Sequence, residues 1–261
     1  MVYMVIGFLL TTGLMGGMAA SFLLGRRLGR ARAARIAAGG AGDGGGTGAL
    51  DGVVFALLGL LLAFTFSSAS SRYDTRRQLI VEESNAIGTA YLRIDLLPAE
   101  AQPELRELFR RYTQSRLDTY AVLPDLEAAR AGYQRSCALQ SEIWAKGISA
   151  AKQQPSPAPL QLLTPALNEM FDIASTRMAA TQMHQPLIVF VMLFGLALAA
   201  ALLAGHLAAG SHGLSRLHAA VFVAAVATAV YVILDLEFPR IGLIRVDDLD
   251  ALIANVLAGM K

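Results

Sequence analysis

Residues 52–97 read GVVFALLGLLLAFTFSSASSRYDTRRQLIVEESNAIGTAYLRIDLL, and the fold turns on this run. Its first part, Gly52 to Ser71, carries no charge over 20 positions, which is the length a helix needs to cross ~30 Å of hydrocarbon. From Arg72 onward the run becomes amphipathic. Ile80, Ile87 and Ile94 recur every seven residues, a stripe suited to packing against other helices. Gly88 is the only glycine or proline in that stripe. One helix is therefore predicted from Gly52 to about Leu97, leaving the membrane near Ser71 and continuing into water.

Three further runs have the length and composition of spans. Met1 to Leu24 is uncharged over 24 positions, and Arg26, Arg27, Arg30, Arg32 and Arg35 follow it rather than precede it. That order predicts an anchor, not a cleaved secretory leader. Pro186 to Leu207 has only His206 as a titratable group, and Leu217 to Leu234 only His218. Composition agrees: 55% of the chain is hydrophobic and 16% charged, against about 25% charged in ordinary soluble domains. A mean hydropathy of +0.50 places much of the chain in lipid. A net charge of +2 gives no basic surface for nucleic acid, and a lone cysteine, Cys137, excludes a disulfide framework.

The fold class that follows is an all-α integral membrane protein with four transmembrane helices and a helical extramembrane bundle inserted between the second and third. Residues 1–71 hold spans one and two with a Gly-rich linker at 39–48, and residues 72–185 form the bundle. Residues 186–234 hold spans three and four, and 235–261 are a C-terminal tail. The bundle segment carries 13 Lys/Arg and 13 Asp/Glu, which fits water rather than lipid. Pro103 and Pro124 open its second and third helices, and a fourth runs from about Leu162 to His184. The third helix is expected to pack through Leu126, Tyr133, Cys137, Gln140, Trp144, Ile148 and Ala151. Gly40, Gly42 and Gly45 form a GxGxxG in the linker, but a span follows and no strand precedes, so a tether is expected rather than a dinucleotide site.

Four spans put the amino terminus, the bundle and the carboxyl tail on one face of the membrane. Basic residues near the span ends divide six against six. The five-arginine loop after the first span favours a cytoplasmic loop and an extracytoplasmic bundle, because the first helix often sets orientation. Few lysines beside many arginines, with abundant alanine, suggest a bacterial inner membrane as the location. Gly13, Gly17, Ser21 and Gly25 stand four apart on the first span, a face that lets another helix approach closely. Ala197, Ala201 and Gly205 continue the pattern on the third. Small faces on several spans suggest a compact bundle and a homo-oligomer in the bilayer.

The residues available for chemistry are few. Phe64, Thr65, Phe66, Ser67 and Ser68 are candidate pore-lining residues, rings and hydroxyls that could form a narrow, dewetting constriction; lipid-facing phenylalanines are the alternative. Arg72, Arg76 and Arg77 lie where the second span leaves the membrane, either as an interfacial anchor or as a mouth that concentrates anions. Asp235 and Glu237 end the fourth span and need partners there. Arg72, Arg76, Arg177 and Arg240 are the arginines available, for a structural clamp or a gate. His206, His212 and His218 are six apart and match no helical face, which favours loop or interface histidines over a metal site. No HExxH, GxSxG or Walker loop occurs, and no cofactor is expected.

VEESNAIGTAYLRIDLLP at 81–98, RRYTQSRL at 110–117, LNE at 167–169 and ILDLEFPRIGLIRV at 233–246 together resemble the bestrophin-like domain family of bacterial membrane proteins. The closing Asp-Leu-acid-x-Pro-Arg-x-Gly pattern is the most distinctive part of the likeness. The matching positions are Glu83, Asn85, Gly88, Arg93, Tyr112, Arg116, Asn168, Arg177, Asp235, Pro239, Arg240 and Gly242. The family has no established reaction. Its kinship to bestrophins, which are pentameric anion channels with four membrane segments, implies a pore along the second span. AFTFSSASSRYDTRR at 63–77 loosely resembles the corresponding bestrophin run, without the tryptophan pair after the tyrosine. There is no acidic calcium clasp beyond the Asp247, Asp248 and Asp250 cluster. The likeness also implies a cytoplasmic bundle, opposite to the arginine-based orientation. Two functions follow: an oligomeric channel or permeation protein for small anions, or a non-conducting scaffold or sensor whose bundle binds a ligand or partner. An enzyme would need a buried polar cleft near Asp235, Glu237 and Glu83.

Overall fold

The computed structural model describes residues 2–39, 47–210, 215–240 and 242–261. The linker glycines Gly40, Gly42 and Gly45 and the loop residue His212 lie outside them. Among the described residues the chain is helical with no strand. The helices are α1 (Val2–Ala37), α2 (Thr47–Leu92), α3 (Gln102–Ala121), α4 (Leu126–Lys152), α5 (Ala158–Ala180), α6 (Leu187–Leu207), α7 (Ser215–Glu237) and α8 (Asp250–Gly259). Four of them, α1, α2, α6 and α7, are long and apolar enough to cross a membrane.

The chain divides into two compact units, one of 1–72 with 185–243 and one of 73–184 with 244–261. α2 contributes its first half to one and its second half to the other. It has 46 residues and no break near Ser70. It ends in a 3-10 turn, Arg93–Leu96, and Leu97 is extended at φ −90°, ψ 163°. The next residue, Pro98, clashes with a helical conformation at the residue before it, which is why the helix stops there.

In the first unit α1 packs along α6. A Cβ added at Gly25 would lie 1.9 Å from the Leu202 carbonyl oxygen, and one at Gly205 would lie 1.9 Å from that of Phe22. The two main chains therefore touch reciprocally, which only glycine permits. Leu193, Ala197, Ala200 and Ala201 are fully buried along the same contact, with Met18 of α1. Gly13 has open space where a side chain would be, so the small stripe is used only from Gly17 onward. Phe55 of α2 meets Phe222 of α7 edge-on at 6.1 Å.

In the second unit the predicted stripe Ile80, Ile87 and Ile94 is buried against Leu105, Phe109 and Tyr112 of α3 and Leu163, Leu167 and Met170 of α5. α4 is turned in part from its expected face, with Ala151 buried as expected and Trp144 packed against the core. It buries Ala129, Gly132, Ser136, Leu139, Ile143 and Gly147, leaving Leu126 exposed and Tyr133, Cys137 and Trp144 at the flank. The reason is close approach: a Cβ on Gly132 would come within 2.8 Å of the Thr119 hydroxyl on α3. Small residues must face that contact, and bulky ones rotate aside. Asp125 caps α4, its carboxylate accepting from the backbone N–H of Glu127 and Ala128. α5 begins earlier than predicted, because Pro159 is tolerated in a first turn, where an N–H needs no partner. The last stretch also packs here, with Val246, Ile253 and Met260 in the same core.

Candidate functional site

α2 sorts the aromatic and hydroxyl residues of its first half by helical phase. Phe64 is 65% exposed, and Ser67 lies exposed on the same face. Thr65 points the other way; it is buried, its hydroxyl donating to the carbonyls of Leu61 and Leu62 at 2.7 and 3.1 Å. Phe66 is exposed on a different side, and Ser68 is half-buried. Leu57, Leu60, Phe64, Ser67 and Ser71, spaced three and four apart, therefore form one exposed strip running from aliphatic to aromatic to hydroxyl.

At the end of that strip Arg72 is fully engaged. Its Nε donates to Glu237 Oε1 at 2.9 Å, one terminal nitrogen donates to Ser68 Oγ at 2.6 Å, and the other to Gln185 Oε1 at 2.6 Å. A second hydrogen bond reaches the same Glu237 oxygen. Glu237 is 1% exposed and Arg72 24%. One guanidinium thus ties the end of α7 and the entry to α6 onto α2, using its rigid fork of donors. Asp235 does a different job. Its carboxylate accepts from the Leu243 N–H at 3.0 and 3.1 Å, closing the turn that Pro239 begins. A Cβ on Gly242 would overlap Asp235 Oδ1 at 1.3 Å, so the carboxylate occupies the space a side chain there would need. The Asp-Leu-acid-x-Pro-Arg-x-Gly pattern is one joint: an acid for the turn, an acid for the arginine, a helix breaker and a bare backbone.

The second unit holds a buried ion network. Glu83 sits between two guanidinium groups, paired with Arg116 through Oε1 and with Arg177 through Oε2 at 2.6 Å. Arg177 reaches on to Asp250 at 2.8 Å. Glu83, Arg116 and Arg177 are 0, 0 and 4% exposed, and two acids against two bases leave the set formally neutral. Arg177 stacks 3.7 Å from the Tyr120 ring centroid, and Arg116 donates to the Tyr120 hydroxyl at 3.1 Å. Burial works against charge on Arg116, but Glu83, Tyr120 and Tyr112 outweigh it and hold the group above the usual arginine range. Burial raises the Tyr112 and Tyr120 phenols above their ordinary value. Tyr112 accepts from Gln140 at 3.3 Å.

The remaining positions scatter. Arg76 donates to the carbonyls of Ala180 and Met183 at 3.2 and 2.8 Å, capping the end of α5. Arg77 is exposed beside Asp74, 3.7 Å away, and over the Tyr73 ring. Arg93 donates to the Leu162 carbonyl. Asn85 and Asn168 are exposed, and Arg240 is half-buried in the turn after α7. Of the four arginines available to Asp235 and Glu237, Arg72 holds Glu237, while Arg177 is engaged by Glu83 and Asp250. The Asp247, Asp248 and Asp250 cluster does not converge: Asp247 pairs with Arg245 and Asp250 with Arg177. No group of three metal-ligating side chains occurs among the described residues. Gln185, Tyr120 and Asp250 were not foreseen as members of these clusters.

A protein-family model described as Bestrophin-like domain matches residues 46–250. Two crystal structures, each described as that of a membrane protein, are similar over 95% of this chain and 97% and 98% of theirs, with TM-scores of 0.65 and 0.66. At 13% identity this likeness is one of fold. No curated protein matches the chain.

Proposed function

The chain belongs to the bestrophin-like domain family and is a multi-pass membrane protein, and from that premise we propose that it is a homo-oligomeric permeation pathway for small anions, with α2 facing the central axis. In this reading residues 72–185 are the extramembrane bundle between the second and third spans, and the membrane is a bacterial inner membrane. The bundle is extracytoplasmic, as the arginines after the first span favour. The observation that carries the proposal is the exposed strip Leu57, Leu60, Phe64, Ser67 and Ser71. Copies arranged about an axis along that strip would ring a passage with apolar side chains, narrow it at Phe64 and re-wet it at the two serines.

Planar-bilayer recording of the purified full chain tests it. Phe64→Ala should raise unitary chloride conductance several-fold. In a Cys137→Ser background, Ser67→Cys should be blocked by a thiol reagent, whereas Thr65→Cys should not. Silence in chloride, nitrate and bicarbonate would sink the proposal.

One observation favours the non-conducting scaffold or sensor. Arg72 and Arg76 are both committed to hydrogen bonds within the protomer, so neither is a free cation to draw anions to a mouth. An oligomer closed along its axis would support this second reading.

A further inference from the structure

α1 and α7 leave a groove of about 640 Å³ between them. Its wall is apolar, from Ala19 and Phe22 on one helix and Ala220 and Val223 on the other. Its rim is basic, because Arg26, Arg27 and Arg30 line the same groove and, among the described residues, no carboxylate does. These arginines come directly after the uncharged run 1–24, so a groove that starts beside hydrocarbon ends at headgroup depth. Arg26 Nε is buried and has no hydrogen-bond partner among the described residues. A buried cationic N–H without an acceptor is costly, so the site is built for an acceptor that the described residues do not supply.

We infer that this groove binds one anionic phospholipid, with an acyl chain along Ala19, Phe22, Ala220 and Val223 and its phosphate on Arg26, Arg27 and Arg30. Charge selects the occupant. Three cations with no acid among the described residues that line the groove call for a multiply accepting anion, and a free phosphate would leave the apolar wall unused. A second copy of the chain would cover the wall but bring no phosphate to the rim.

The test uses the full chain in detergent micelles carrying trace spin-labelled phosphatidylglycerol or spin-labelled phosphatidylcholine, with the motionally restricted fraction read by electron paramagnetic resonance. Phosphatidylglycerol should be held at least about fivefold over phosphatidylcholine, and Arg26→Gln should lower that preference about fivefold. Arg35→Gln, on the same helix but outside the groove, should leave it unchanged. Ala220→Trp fills the apolar wall while keeping every charge and should abolish retention; its elution volume reports whether it has folded, and Arg26→Gln stands independently if it has not. Equal retention of the two lipids would overturn the inference. So would full preference in a folded Ala220→Trp, which would mean diffuse surface charge, or displacement of the label by inorganic phosphate alone.

Discussion

The two units fasten their helices by opposite means. In the first, α1 and α6 meet through bare main chain, Gly25 against Leu202 and Gly205 against Phe22, with alanines alongside. In the second, α2, α3 and α5 meet through large side chains and a buried salt-bridge network centred on Glu83. The difference is the one that the proposed layout, first unit in lipid and second in water, would produce. Lipid gives no hydrophobic drive between apolar helices, so contact must come from close packing. With the second unit in water, as proposed, its apolar core would already drive association, and a neutral set of buried charges would add orientation.

The largest expected effect tests the charged side of that contrast. Glu83→Gln leaves the buried Arg116 without its carboxylate and Arg177 with Asp250 alone, and thermal unfolding of the full chain in detergent should show a loss of about 3–5 kcal/mol. A loss below about 1 kcal/mol would mean the network is wet, and the contrast would fail. Next comes the main-chain side: Gly205→Leu should cost on the order of 3 kcal/mol, because a carbonyl cannot move aside as a side chain can, whereas Gly13→Leu should be near neutral. Equal effects at the two glycines would contradict the α1–α6 contact.

Two smaller effects concern the joint after α7. Gly242→Ala forces the Asp235 carboxylate off the Leu243 N–H and should cost about 2 kcal/mol; adding Asp235→Ala should recover part of that, a coupling that a double-mutant cycle reads directly. Glu237→Gln should cost on the order of 1 kcal/mol, since Arg72 is partly exposed and keeps Ser68 and Gln185. The smallest is a pH effect in the second unit. Burial, with Cys137 beside it, pushes the Tyr133 phenol up to about 12. Its folded value lies above an unfolded value near 10, so its contribution is complete below about pH 10 and declines as pH rises towards 12. Ultraviolet titration should show Tyr133 ionising later than an exposed tyrosine.

What was legible in the sequence followed periodicity and length. The spans are uncharged runs of sufficient length, and Ile80, Ile87 and Ile94 marked the inner face of α2 by spacing alone. The resemblance picked out Glu83, Arg116 and Arg177 without assigning them to each other. Their pairing joins residues 33 and 94 positions apart, and no local pattern encodes such a contact. The α4 face differs from the expected one at Leu126, Tyr133 and Cys137, because Thr119 requires Gly132 to face inward and bulk alone does not mark burial. Arg72 with Glu237 was among the pairs topology allowed; Gln185 was missed because nothing before Pro186 distinguishes it from an ordinary loop glutamine.

The paired glycines also constrain motion. With carbonyls lodged against Gly25 and Gly205, neither α1 nor α6 can spin about its own axis, so the two must travel as a single plank. α7 also packs on α1, while α2 and α7 meet through the edge-on rings of Phe55 and Phe222 and are latched at their far ends by Arg72 on Glu237. Any parting of α2 from α7 at that end must first release the latch.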